Sequence, residues 1–140
     1  MSTPLSIRFD PVLLARLRRR AAATTGSTTS TLAQQLIDEG LRMADHPGVV
    51  FKDGPSGRRA ALAYGPDVWE VIKFLREVDE RGPAALDAAA EVFAVDPSRI
   101  ATALSYYGDY QDEVDTEISD ADEASARAEQ AWRVRQRLLS

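Results

Sequence analysis

Near the N-terminus, Leu5-Ser6-Ile7-Arg8-Phe9 alternates strictly between apolar and polar residues. That is the period of a strand with one buried and one exposed face, so Ser6 and Arg8 share a hydrogen-bonding side. Near the other end, Trp132 stands among Arg133, Arg135 and Arg137, followed by Leu138 and Leu139. Trp and Arg are the side chains that dominate binding hot spots. Both constellations offer recognition rather than bond chemistry. The chain has no Cys, which removes disulfides, thiolate metal sites and cysteine nucleophiles. Its single His46 precludes a multi-histidine metal centre and sits beside Pro47-Gly48. Gly54-Pro55-Ser56-Gly57 lacks the spacing and the Lys of a phosphate-binding loop. From Asp109 to Glu123 there are eight acids and no base. They do not follow the EF-hand pattern and read as a solvated linker or helix face. No enzyme activity, cofactor or metal is expected.

The elements that must position these residues belong to a chain of 140 residues, a length for one domain or two small ones. Apolar residues make up 44% and charged residues 28%, which separates it from disordered sequences. No apolar run is long enough to span a bilayer and no signal-peptide pattern opens the chain, so a cytoplasmic protein without a membrane partner is expected. The formal charge of −5 is unevenly spread. Residues 1–45 hold six Arg against four acids, a net +2, and the remainder holds eleven Lys/Arg against eighteen acids, a net −7. Residues 124–140 hold four Arg against one Glu, a net +3. Such asymmetry suggests different partners for different segments.

After the alternating strand, Asp10 offers an N-cap oxygen and Pro11 suits the first helical turn. Leu13, Leu14, Leu17 and Ala21 then recur at helical spacing, with Arg16, Arg18, Arg19 and Arg20 on the remaining surface. Thr25-Gly26-Ser27 breaks the helix, and Thr28 caps a second one striped by Leu32, Ala33, Leu36, Ile37 and Leu41. One strand and two helices cannot stand alone, because the strand's backbone groups stay unpaired and ~45 residues bury too little surface. A two-fold dimer with antiparallel strands is the simplest remedy. Leu5, Ile7 and Phe9 would then face a shared core, and Ser6 and Arg8 would face outward from a two-stranded ribbon that fits the DNA major groove. The competing reading is an edge strand of another small domain, with Arg8 merely solvated.

The run from Leu5 to Met43, with Ser-Ile-Arg-Phe-Asp, the Gly26 turn, Ser30 and Leu-Ile-Asp-Glu-Gly-Leu-Arg, resembles ribbon-helix-helix repressors of the CopG and antitoxin type. The resemblance covers about a third of the chain. It implies that Pro4, Ser6 and Arg8 lie on the base-reading face, with Arg8 paired to guanine O6 and N7. It also implies that Thr28 and Thr29, at the start of the second helix, anchor a phosphate. Pro4 departs from the polar residue expected there.

His46-Pro47-Gly48 marks a boundary. Val49–Lys52 and Arg59–Leu62 flank Asp53-Gly54-Pro55-Ser56-Gly57, which predicts a hairpin with a five-residue loop. Helices are expected after Gly65-Pro66 (stripe Trp69, Ile72, Leu75), after Gly82-Pro83 (Leu86, Ala89, Ala90, Phe93) and after Asp96-Pro97 (Ile100, Ala103, Leu104, Tyr107). The last two, joined by Ala94-Val95-Asp96, have the layout of a helix-turn-helix with Ser98, Arg99 and Thr102 outward. The hairpin would be its wing, with Lys52, Arg58 and Arg59 at the tip. Lys52, Arg58, Arg59 and Arg99 are thus candidates for a second DNA contact, set against a purely dimerising or spacing role. Tyr106, Tyr107 and Tyr110 offer faces for base stacking, although at this spacing two of them belong to a core. Val-Phe-Lys-Asp-Gly-Pro-Ser-Gly-Arg-Arg, Gly-Pro-Asp-Val-Trp-Glu-Val and Ala-Leu-Ser-Tyr-Tyr resemble an uncharacterised, antitoxin-associated helical domain.

The expected fold is mainly α. Residues 1–45 form an intertwined ribbon-helix-helix dimer, 46–118 a hairpin plus three helices resembling a winged helix-turn-helix, and 119–140 a helical tail. Trp132, Arg133, Arg135, Arg137, Leu138 and Leu139 are the candidate partner-binding residues of that tail, which otherwise packs back on its own dimer. A DNA-binding head with a partner-binding tail resembles a VapB-like type II antitoxin. That resemblance implies operator DNA, a homodimer or higher oligomer, and a toxin, commonly a PIN-type RNase whose clustered carboxylates a tail Arg would enter. The alternative is a stand-alone repressor without a toxin.

Overall fold

The computed structural model describes residues 2–55 and 57–140, so Ser56 of the expected hairpin loop lies outside the described residues. Among those residues the chain has six helices and one two-stranded antiparallel sheet, and it divides into two compact units, Met1–Arg42 and Met43–Ser140.

In the first unit, α1 (Pro11–Ala23) starts where its cap dictates. The Asp10 carboxylate accepts the Val12 and Leu13 amides at 3.1 and 3.2 Å, satisfying two N–H groups that the helix leaves unpaired. Gly26, at φ +76°, makes the left-handed turn that an L side chain disfavours. α2 (Thr29–Asp45) is capped by Thr28, whose hydroxyl accepts the Thr31 amide at 3.0 Å. Residues 2–10 form no strand in the single chain. The strand expected over Leu5–Phe9 has no neighbour to pair with here, and Leu5 and Ile7 stand 81% and 52% exposed. Among the described residues of this unit, the buried apolar side chains are Ala21 and Leu32.

The second unit has a full core. β1 (Val49–Gly54) pairs with β2 (Gly57–Leu62) in a register running from Val49 opposite Leu62 to Gly54 opposite Gly57. The strands therefore continue into the expected five-residue loop and pair Asp53 with Arg58. Gly57 takes φ +114°, a backbone conformation that an L side chain disfavours. α3 (Val68–Glu77), α4 (Pro83–Phe93), α5 (Pro97–Asp109) and α6 (Gln111–Leu139) follow, with α3 packed against β2, α4, α5 and α6. Pro66 lies before the N-cap Asp67 rather than in the first turn of α3. α4 and α5 are joined by Ala94, Val95 and Asp96, with Ala94 in the left-handed region. The Asp96 carboxyl caps α5, and its bonds to Ser98 hold it below the usual aspartate range.

Val49, Ala60, Leu62, Val68, Val71, Ile72, Ala89, Ala90, Ile100, Ala103, Tyr106, Val114 and Ile118 form the core. The α4 stripe is the expected one. On α3 the sealed face is Val68, Val71 and Ile72, with Trp69 and Leu75 at its margin. On α5 Tyr106, not Tyr107, is fully enclosed, and Leu104 is exposed. The acid-rich stretch is the first half of α6, which continues unbroken through residues 118 and 119. No helix among the described residues is long and apolar enough to cross a membrane.

Candidate nucleic-acid interface and partner-binding tail

The alternation of residues 5–9 sorts the side chains as a strand pattern should. Leu5, Ile7 and Phe9 line an apolar groove with Leu14, Leu17, Ala33, Ile37 and Leu41, whereas Ser6 and Arg8 are exposed and take no part in it. Pro4 falls on the groove side, apart from Ser6 and Arg8, so the expected three-residue polar face is reduced to two. The groove encloses about 1030 Å³, large for a unit with so small a core. At the start of α2 the Thr28 hydroxyl is engaged by Thr31, both as cap acceptor and as donor to its hydroxyl at 2.8 Å. Thr29 is half-buried at the groove edge. What this end of α2 offers an anion is its first backbone amides, with the partial positive charge of the helix terminus behind them.

Each of the four hairpin and helix cations expected as a second DNA contact has a partner within the chain, and Lys52 and Arg58 are also exposed. Asp67 is 3% exposed and receives Arg59 Nε at 2.5 Å, Lys52 Nζ at 3.2 Å and the Trp69 indole N–H at 3.0 Å. Glu70 lies close enough to this cluster that burial first, and the Asp67 charge second, push its carboxyl above the usual glutamate range. Arg99 donates to the Ala63 carbonyl where the chain leaves the hairpin. Arg58 faces Asp53 across the hairpin at 3.5 Å. The contacts to Asp67 and Ala63 tie the hairpin and its exit to α3 and α5, whereas the Arg58–Asp53 pair lies within the hairpin. Of the three α5 residues expected to point outward, Ser98 is exposed, while Arg99 and Thr102 are half-buried.

His46 is enclosed and touches Asp109 and Ser105. Its Nε2 lies 2.8 Å from the Asp109 carboxylate and its Nδ1 lies 3.4 Å from the Ser105 hydroxyl. A serine, a histidine and an aspartate in contact invite comparison with a nucleophilic triad. The surroundings do not supply one. Ser105 and Asp109 are one turn apart inside α5, where backbone amides are spent on the helix and cannot hold an oxyanion. The ring instead packs edge-on to Tyr106 and Tyr110, at 5.3 and 6.1 Å between centroids. Among the described residues no cluster of three or more His, Cys, Asp or Glu side chains could hold a metal ion.

The tail is anchored only through its first half. Val114 and Ile118 enter the core, Arg76 pairs with Asp115 and the Tyr107 hydroxyl, and Lys73 pairs with Asp122. The Tyr107 contact first and then Asp115 raise Arg76, and the Asp122 carboxylate raises Lys73. Basic groups on α3 thus neutralise part of the acidic stretch, which is why it forms a helix rather than a linker. From Asp122 onward every residue is exposed. Trp132 is 58% exposed, Leu138 and Leu139 each 79%, and Arg133 reaches back to Glu129 at 2.6 Å. Arg135 and Arg137 are exposed on the same stretch.

The sequence places the α1 arginines only on the surface of their helix, and it carries no sign of the buried Asp67 cluster, since one aspartate after Gly-Pro does not show what packs over it. Comparison with protein-family models, with curated proteins and with solved structures gives no match.

Proposed function

We propose that the chain is a cytoplasmic, homodimeric DNA-binding repressor of the antitoxin type, reading operator DNA with Ser6 and Arg8 and engaging a partner protein with its tail. The observation that carries this reading is the division of residues 5–9 into groove-lining Leu5, Ile7 and Phe9 and outward Ser6 and Arg8. A second copy supplying an antiparallel strand would satisfy the unpaired backbone of this segment and cover the exposed Leu5 and Ile7 together. The exposed helix bearing Trp132, Arg133, Arg135 and Arg137 supports a protein partner. The resemblance implies a PIN-type RNase, whose carboxylates would accept one of these arginines. A gel shift on the DNA upstream of the coding sequence tests the reading. Wild type should shift it and Arg8→Ala should not, whereas equal binding by the two removes ribbon readout.

A second reading, a stand-alone repressor whose second unit senses a small ligand, draws on one observation. Leu75, Ala85, Leu86 and Leu104 line a concavity of about 530 Å³ bordered by Glu80 and Arg81, within the size range of small-molecule sites. Saturable shifts of the unfolding temperature by small apolar acids or amines would favour it.

A further inference from the structure

Arg16, Arg19 and Arg20 border one concave patch of about 420 Å³ on the first unit, floored by Leu13, Leu17 and Leu36. Arg18 is exposed on the same helix. Arg16 lies three residues from Arg19 and four from Arg20, spacings at which like charges destabilise a helix. The acids of this unit do not relieve them. Asp10 caps α1, Asp38 pairs with Arg42 at 3.0 Å, and Glu39 is buried. Among the described residues none of the four α1 arginines has a carboxylate partner. Three adjacent cations around one hollow, with no carboxylate partner among the described residues, suit an anion with several charges in a row.

The chain path says which anion. α1 ends at Ala23 and α2 begins at Thr29, so the short Gly26 turn puts Arg19 and Arg20, in the last turns of α1, next in the chain to the amide-bearing end of α2. Arginines and helix-terminal amides are both phosphate-binding groups, and here they flank a single turn. We infer that Arg16, Arg19 and Arg20 form a phosphodiester-binding surface, a sequence-independent grip on the DNA backbone beside the base-reading ribbon. The inference rests on the DNA-binding reading above and adds to it residues that supply sequence-independent affinity.

The test is the salt dependence of binding to the upstream DNA and to an unrelated duplex of equal length. The proteins are wild type, Arg8→Ala, the triple variant R16Q/R19Q/R20Q, and R16K/R19K/R20K. Gln is a good helix former, so the triple variant keeps α1, which circular dichroism checks. Each phosphate contact contributes about 0.9 to the slope of log K against log salt. The Gln variant should flatten that slope by at least 2 on both duplexes and bind each at least ~10-fold more weakly at 0.1 M salt. Its preference for the upstream DNA should stay as in wild type. The Lys variant should keep the wild-type slope, because a phosphate accepts a point charge. An unchanged slope for the Gln variant, with Arg8→Ala still losing the operator, overturns the inference and leaves the ribbon reading standing. Wild type that binds neither duplex overturns both. A Gln variant that alters self-association with the slope intact overturns the inference and identifies the anion as an acidic protein surface.

Discussion

Arg59 donates its Nε–H to Asp67 Oδ2 at 2.5 Å, with the two side chains 15% and 4% exposed. The pair ties the hairpin to the start of α3. Lys52 and the Trp69 indole complete the coordination of the carboxylate, so every strong contact of Asp67 is charge-assisted or buried.

Breaking such a pair strands a charge away from water. Asp67→Ala should therefore lower the unfolding free energy by about 3 kcal/mol or more, measured by urea denaturation. Arg58→Ala, which loosens a 3.5 Å contact to a largely exposed Asp53, should cost less than Asp67→Ala. Equal effects of the two substitutions would contradict the role assigned to Asp67.

Glu70 gives this cluster a pH dependence. Its carboxyl is raised by burial and by the Asp67 charge, so the folded state holds the proton more tightly than the unfolded chain. Stability from this group is then present at low pH and is lost as the pH rises through the raised value. Glu70→Gln should raise the melting temperature at pH 7, and the gain should vanish below the ordinary glutamate value of about 4.3. A gain that is the same at pH 7 and pH 3.5 would rule out titration as its cause.

Arg8 and Arg99 should separate cleanly in a paired experiment. Arg8 is exposed and reaches no carboxylate among the described residues, so Arg8→Ala should leave the melting temperature unchanged while weakening operator binding by about 1–3 kcal/mol per base contact. Arg99 is tied to the Ala63 carbonyl. Arg99→Ala should do the reverse, with a stability loss of roughly 1–3 kcal/mol from the orphaned carbonyl and near-native operator affinity. Loss of DNA binding in a stably folded Arg99→Ala protein would restore α5 as a reading helix.

Much of the local structure is legible because each cue acts within one turn of chain. Asp10-Pro11, Thr28, Gly82-Pro83 and Asp96-Pro97 begin their helices through capping bonds and a fixed proline φ. The direction of the hairpin cations is a different kind of fact. Lys52, Arg59 and Arg99 look like a basic wing until Asp67 and the Ala63 carbonyl are brought beside them by tertiary packing. Tyr106 and Tyr107 are likewise adjacent in sequence and both plausible as core. The fold chooses Tyr106 because His46, Phe51 and Tyr110 enclose its ring. The alternation of residues 5–9 is readable in the sequence, but in the single chain these residues form no strand.

The tail gives the last prediction. Most helical stability in proteins comes from packing of one face, yet α6 runs to Leu139 with no side chain buried after Ile118. Its anchored first half supplies the nucleus, through Val114, Ile118 and the pairs of Arg76 with Asp115 and Lys73 with Asp122. The second half adds exposure and no core. Deleting residues 124–140 should therefore leave the melting temperature of the second unit unchanged while reducing helical ellipticity. It should also remove the solvent-exposed, red-shifted tryptophan emission of Trp132 and leave that of Trp69, whose indole is held by Asp67. On the reading proposed above, the truncated protein should still bind operator DNA but no longer neutralise a toxin. A lower melting temperature on truncation would mean instead that the apolar residues Trp132, Leu138 and Leu139 pack within the dimer, and that the tail is part of the fold.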